Sequence, residues 1–184
     1  MDIKKQMLVA MLSTSILISQ PQASESVQEK DIKDNDMPKA EQTYVTDEKD
    51  SSFKSFMDYR MITDQTSRQW KLQQKAYTDQ NGIRKIGDYY CVAMGSGISS
   101  KIGDKFEVEL DTGEIIKVIL ADQKADRHTD KTNTYLDMGD GRINVVEFIV
   151  ETESMPEIVQ VMGDVSYMPD EDFQGGVEII TELS

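Results

Sequence analysis

Asp122 closes the run EIIKVILAD (residues 114–122), where an apolar segment hands over to polar chain. A carboxyl at such a place is half desolvated, and desolvation raises its pKa toward what a general acid near neutral pH requires. The competing role is a loop cap that bonds nearby backbone N–H groups, a common use of Asp. Glu147, in NVVEFIV, supplies a second carboxylate if its side chain reaches the same groove, and otherwise faces solvent from its strand. His128 is the sole histidine and stands between Asp126 and Asp130 in DQKADRHTD. Asp122, His128 and Asp130 could form one polar cluster that binds a ligand or moves protons; the alternative is a surface loop bonded to itself. The D-x-H-x-D run lacks the spacing and the second nitrogen or sulfur ligand of a zinc site, so neither a metal nor another cofactor is expected. Tyr90, with Tyr89, Tyr135 and Tyr167, offers aromatic faces on which a ring-shaped ligand could stack. Cys91, inside YYCVAM, reads as a buried small hydrophobe, and a lone Cys has no partner for an internal disulfide. No GxSxG, Walker or dinucleotide motif occurs in the required context, and no Cys/His pair suits a thiol peptidase.

Short β segments must position these groups. DYYCVAM (88–94) ends at Gly95-Ser96-Gly97, and KFEVEL (105–110) alternates with period two before Asp111-Thr112-Gly113. KFEVEL and the strand of 114–122 read as a hairpin joined through that Gly-containing turn. Residues 122–141 are polar and without periodicity, a long loop; INVVEFIVE (143–151) is the strongest β signal, and GGVEIITEL (175–183) a last strand. Residues 155–162 predict one short helix, with Pro156 in its first turn and Gly163 as its stop. Upstream, Phe53, Phe56, Met57 and Met61 recur at helical spacing. Thr66 and Gln69 fit a capping box that opens a second helix, in which Trp70 reads as a packing anchor, and Asn81-Gly82 marks a turn.

The formal net charge of −14 argues against nucleic acid as a partner, since phosphate binding depends on clustered Lys and Arg. No apolar run reaches the roughly 18 residues of a membrane span. Lys4 and Lys5 followed by the apolar residues 7–18 have the build of a secretory signal peptide, with Ala23 or Ser24 at the cleavage point. The expected organisation is therefore a signal peptide (1–23), a disordered Ser/Glu/Asp/Lys/Gln-rich spacer (24–52), a helical segment (53–82), and a β domain (83–184) on which that segment packs. This organisation implies a secreted location.

The segments YYCVAMGSGISSKIGDKFEVELDTGEIIKVILAD, NVVEFIVE and MPEIVQVMG, in this order, resemble the three-aspartate ("3D") cell-wall domains and their RlpA-like and MltA-like relatives. The likeness spans residues 83–183. It implies a small double-psi β-barrel with one or two short helices, associated with the cell wall and with peptidoglycan or another wall glycan as ligand. Leu120-Ala121-Asp122 stands at the element that supplies the family's central Asp. Val146-Glu147-Phe148-Ile149 stands at its "IDLY" strand, with Glu in place of Asp, and Met94-Gly95 replace the "AVDP" Asp. The runs TDQNGIRKIGDYYCVAMGS and DQKADRHTD are also similar to a shared unit of exported proteins of Gram-positive bacteria. The resemblance implies two functions. One is cleavage of glycan strands in the manner of a lytic transglycosylase or glycan hydrolase, with Asp122 as acid/base and Glu147 or His128 assisting. The other is recognition of wall glycan or a protein through the same groove, without turnover.

Overall fold

The computed structural model describes residues 42–44 and 49–183. The expected signal peptide and most of the expected spacer lie outside the described residues. The strands are β1 (Gln42–Tyr44), β2 (Phe56–Asp58), β3 (Tyr77–Thr78), β4 (Arg84–Ile86), β5 (Tyr89–Met94), β6 (Lys105–Leu110), β7 (Ile115–Gln123), β8 (Leu136–Asp137), β9 (Ile143–Asn144), β10 (Glu147–Val150) and β11 (Val177–Leu183). The helices are α1 (Arg68–Gln73) and α2 (Glu157–Met162). The chain is thus mainly β. One mixed sheet runs β1-β11-β6-β7-β5-β10-β2, with β4 beside β5, β3 beside β4, and β8 and β9 forming a separate ribbon. The path ends at β1 and β2 and does not close into a barrel.

Alternation in β6 buries Phe106, Val108 and Leu110 and leaves Lys105, Glu107 and Glu109 on the other face. It pairs antiparallel with β7 through the turn at Gly113, whose φ of 86° suits a residue without Cβ. β7 lies parallel to β5, and β10 parallel to β2. On one face of the sheet, Val92, Leu120 and Phe148 pack with Met155, Val159, Val165, Met168 and Phe173 from the segment between β10 and β11. Tyr90, Phe148 and Phe173 meet edge to face there, with centroids 5.3 to 6.2 Å apart. On the opposite face, Cys91, Ala93, Ile119, Ala121 and Ile149 pack against Leu72 and Ala76 near α1. Cys91 is fully buried, which pushes its thiol up to about 11 and away from nucleophilic use. Among the described residues no helix is long and apolar enough to cross a membrane.

Several local expectations are corrected. Residues 56–58, expected in a helix, form β2, because their backbone pairs in parallel register with Phe148–Val150. Four apolar residues without a cap do not outweigh an unpaired sheet edge. The cap of α1 is Ser67, whose Oγ accepts the Trp70 N–H at 3.0 Å, while Thr66 bonds back to Asp64. Ordered chain also begins before Phe53: β1 pairs with β11, and the buried Ser51 donates its hydroxyl to the Val177 carbonyl. The loop of residues 122–141 contains a 3₁₀ turn (Asp126–His128) and β8. Helix α2 stops as expected at Gly163, in the left-handed conformation at φ 66°.

Candidate functional site

The last turn of β7 contains an irregularity that decides the site. Cys91 pairs with Ile119 and Val92 with Leu120, but Ala93 pairs with Asp122, so Ala121 is an extra residue. Such a bulge re-aims the side chains beyond it. Here it turns Asp122 onto the face shared by Ala93 and Cys91. On the other edge of β5, Ala93 pairs with Glu147. Asp122 and Glu147 therefore flank one alanine across three adjacent strands, about 10 Å apart at Cα by two strand spacings. The small Ala93 side chain leaves the space between them open.

A cleft of about 390 Å³ lies over this face, lined by Asp122, Glu147 and Ala93 together with Ser55, Lys124, Asn144 and His128, among others. Burial raises the pKa of Asp122, against the Gln123 backbone N–H and the Gln69 side chain, and the nearby Glu147 charge adds to the rise. Ser55 precedes β2 and reaches Glu147 Oε1 at 2.9 Å. The Asn144 amide suits all its neighbours when its nitrogen donates to the Val146 carbonyl (2.8 Å) and its oxygen accepts from Lys124 Nζ (3.1 Å) and Ser55 Oγ (2.5 Å). The single Ser55 proton then has two acceptors within reach, one of them the Glu147 carboxylate. Burial lowers Lys124 to about 8, opposed by the Glu147 charge. The floor of the cleft thus holds two carboxylates, one amine and a hydroxyl-amide link between them.

The structure brings Asp122, Glu147 and His128 together and leaves the other named residues elsewhere. His128 is exposed at the rim, with its Nε2 accepting from Arg127 Nε at 2.7 Å. Asp130 caps its own loop: the amides of Thr132 (2.8 Å), Thr134 (2.8 Å) and Tyr135 (3.1 Å) and the Thr132 hydroxyl all donate to its carboxylate. Partial burial pushes its pKa up, but these bonds outweigh it and hold the group at about 2. Asp126 is exposed and accepts from Ser96 Oγ at 2.7 Å. Tyr90 lies on the far face of the sheet, in the aromatic cluster, with Lys85 Nζ 4.1 Å from its ring centroid. Among the described residues no group of three His, Cys, Asp or Glu side chains could hold a metal ion.

Sequence reasoning misses Ser55, Lys124 and Asn144. Only Asn144 carries a legible signal. An amide inside the apolar run INVVEFIV, 2 % exposed in the fold, must find buried partners.

Gly95 and Gly97 hold the rim in place. A Cβ on Gly95 would collide with the Asn133 carbonyl oxygen, and one on Gly97 with that of Thr132, while the Gly97 N–H donates to Asn133 O at 2.9 Å. Gly95→Ala is expected to cost roughly 1–3 kcal/mol by overpacking. It should also displace the 126–135 loop that carries His128. Urea unfolding checks the first effect; an unchanged midpoint would show that the loop yields freely. His128→Ala, by contrast, is expected to leave the thermal midpoint unchanged, since among the described residues its ring bonds only to Arg127 at the exposed rim.

Comparison with known proteins yields no matching family model, no matching curated protein and no matching solved structure.

Proposed function

We propose that this chain is an exported, cell-wall-associated protein that binds peptidoglycan glycan strands in the cleft and cleaves them with Asp122 as acid/base. The observation that carries the reading is the carboxyl pair across Ala93, one member of which burial biases toward its protonated form. Cleaving a glycosidic bond without water needs two proton transfers and stabilisation of positive charge at the anomeric carbon. Protonated Asp122 gives its proton to the bridging oxygen as the C–O bond breaks, and the Glu147 carboxylate faces the developing cation. The sugar's own hydroxyl then attacks that carbon and returns its proton to Asp122, leaving an anhydro sugar. The cleft falls within the roughly 300–1,000 Å³ of ligand pockets.

The finer fold reading, kinship with the double-psi β-barrel of the three-aspartate domains, is part of the same proposal. Its support is the segment resemblance and the two parallel pairs, β5/β7 and β2/β10, set among antiparallel neighbours. A second functional reading, wall-glycan recognition without turnover, is favoured by one observation: Glu147 is already engaged by Ser55.

The test is incubation of the full chain with purified peptidoglycan, with pelleting to score binding and mass spectrometry to score released products. Anhydro-sugar products absent with Asp122→Asn support cleavage. Binding without release moves the protein to the recognition class. Failure to bind and to release products overturns both readings.

A further inference from the structure

A second cavity, of about 350 Å³, is lined in part by Tyr59, which packs with Cys91, Ala93 and Ile119 on the Asp122 face of the sheet. It lies outside the residues that carry the family resemblance. Its walls are the chain leaving β2 (Tyr59 to Gln65) and the α1 side chains around Trp70. We infer that this cavity is a binding subsite for one neutral sugar unit of the strand held in the cleft. The inference rests on the glycan reading above for the identity of the strand, and on the cavity's own chemistry for the class of ligand.

The charges and local bonds of this region are already spent. Arg60 is held by Asp58 (2.7 and 2.9 Å) and by Glu153 (3.0 Å). Asp64, Thr66 and Ser67 bond one another and cap α1. By contrast, the Thr63 hydroxyl, the Gln65 and Gln74 carboxamides and the Trp70 indole N–H line the cavity without a hydrogen-bond partner among the described residues. Neutral donors and acceptors beside two partly exposed aromatic rings suit a ligand with hydroxyl and amide groups and an apolar ring face. The one charged group in the lining, Arg60, is already paired with Asp58 and Glu153.

One wall is rigid before any ligand arrives. Arg84, 9 % exposed, sits 4.4 Å from the Tyr59 ring centroid. It donates to the carbonyls of Gln73 and Ala76 (2.8 Å each) and to the Thr78 hydroxyl (2.9 Å), pinning the end of α1. A preorganised wall lowers the ordering cost of binding.

Two elements join the cavity to the cleft. Met57 lines the cleft and Tyr59 the cavity, two residues apart along β2 and its continuation. On α1, the Gln69 side chain lies near enough to Asp122 to act on its carboxyl, while the next residue, Trp70, lines the cavity. A chain of sugars passing along this face would meet both.

Trp70 is the only tryptophan, so its emission reports the cavity directly. The experiment titrates the full chain with a four-sugar N-acetylglucosamine oligomer, using wild type, Asp122→Asn and the double variant Gln65→Ala/Gln74→Ala. Both glutamines are at the surface and have no hydrogen-bond partner among the described residues, so the double variant keeps the fold. The expected result is a saturable emission change in wild type and Asp122→Asn alike, with the dissociation constant raised roughly tenfold in the double variant. Unchanged emission while wild type still releases products would overturn the subsite and leave the cleft reading standing. An emission change without product release would keep the subsite and remove cleavage. An emission change insensitive to the double variant would also overturn the subsite.

Discussion

Asp122→Asn is expected to lower product release by roughly 10²–10⁴-fold, the usual worth of a positioned general acid. The fold should tolerate the change well. Asn is nearly isosteric, and its neutral amide avoids the burial that raises the Asp122 pKa. Thermal midpoints of variant and wild type should therefore agree closely, with any difference in the variant's favour. The sign of the pH dependence comes from the same raised value. Only the protonated carboxyl can donate, so the rate falls as pH rises through the Asp122 pKa. Because burial and the Glu147 charge raise that pKa, the fall comes at higher pH than for an ordinary carboxyl. A pH–rate profile on solubilised glycan checks this. A rate that climbs through the same range would make Asp122 a base alone.

Lys54→Met is expected to be the most destabilising single substitution away from the apolar core. Lys54 is 1 % exposed, and its ammonium donates to the carbonyls of Ser52 (3.0 Å) and Gly175 (2.5 Å) and to Ser166 Oγ (3.3 Å). Its own N–H donates to Asp164 Oδ1 at 3.1 Å, and its carbonyl accepts from Val165 N at 2.8 Å. One residue thus ties the lead-in to β2 to the segment that covers the core between β10 and β11. Methionine fills the volume but leaves buried acceptors unpaired, at a cost of roughly 2–3 kcal/mol. For a domain of this size that lowers the thermal midpoint by roughly 6–10 °C.

The pH dependence of this contribution runs opposite to that of a salt bridge. Burial lowers Lys54 from 10.5 to about 8, against the charges of Asp164, Asp111 and Asp50. Below pH 8 both folded and unfolded chains hold the proton. Between about 8 and 10.5 only the unfolded chain does, so the folded state gains about 1.4 kcal/mol per pH unit. Urea unfolding of wild type minus Lys54→Met should show that slope. A flat difference would mean that the buried ammonium keeps its proton throughout.

Much of the frame was legible in residue order because its causes are local. The alternation of KFEVEL, the turn at Gly113 and the stop at Gly163 each depend on neighbours a few residues away, and each stands where expected. Asp122 at the close of an apolar strand was legible for the same reason, as was its raised pKa, since hydrophobic neighbours in sequence already imply burial.

What tertiary structure alone decided depends on pairing across long separations. The bulge at Ala121 exists only against β5, and without it Asp122 would face the other side of the sheet. Ser55 meets Glu147 across 92 residues and Asn144 across 89, distances at which no spacing rule operates. Lys124 and Lys54 look like surface charges in the chain; the fold half-buries the first against Asn144 and fully buries the second among distant carbonyls. Residues 56–58 carried a helical spacing that the free edge of β10 overrode. Local propensity is worth tenths of a kcal/mol per residue, whereas a paired backbone and a filled core are cooperative. Here residue order therefore specified strands, turns and one acid, while the register between strands assembled the cleft around it.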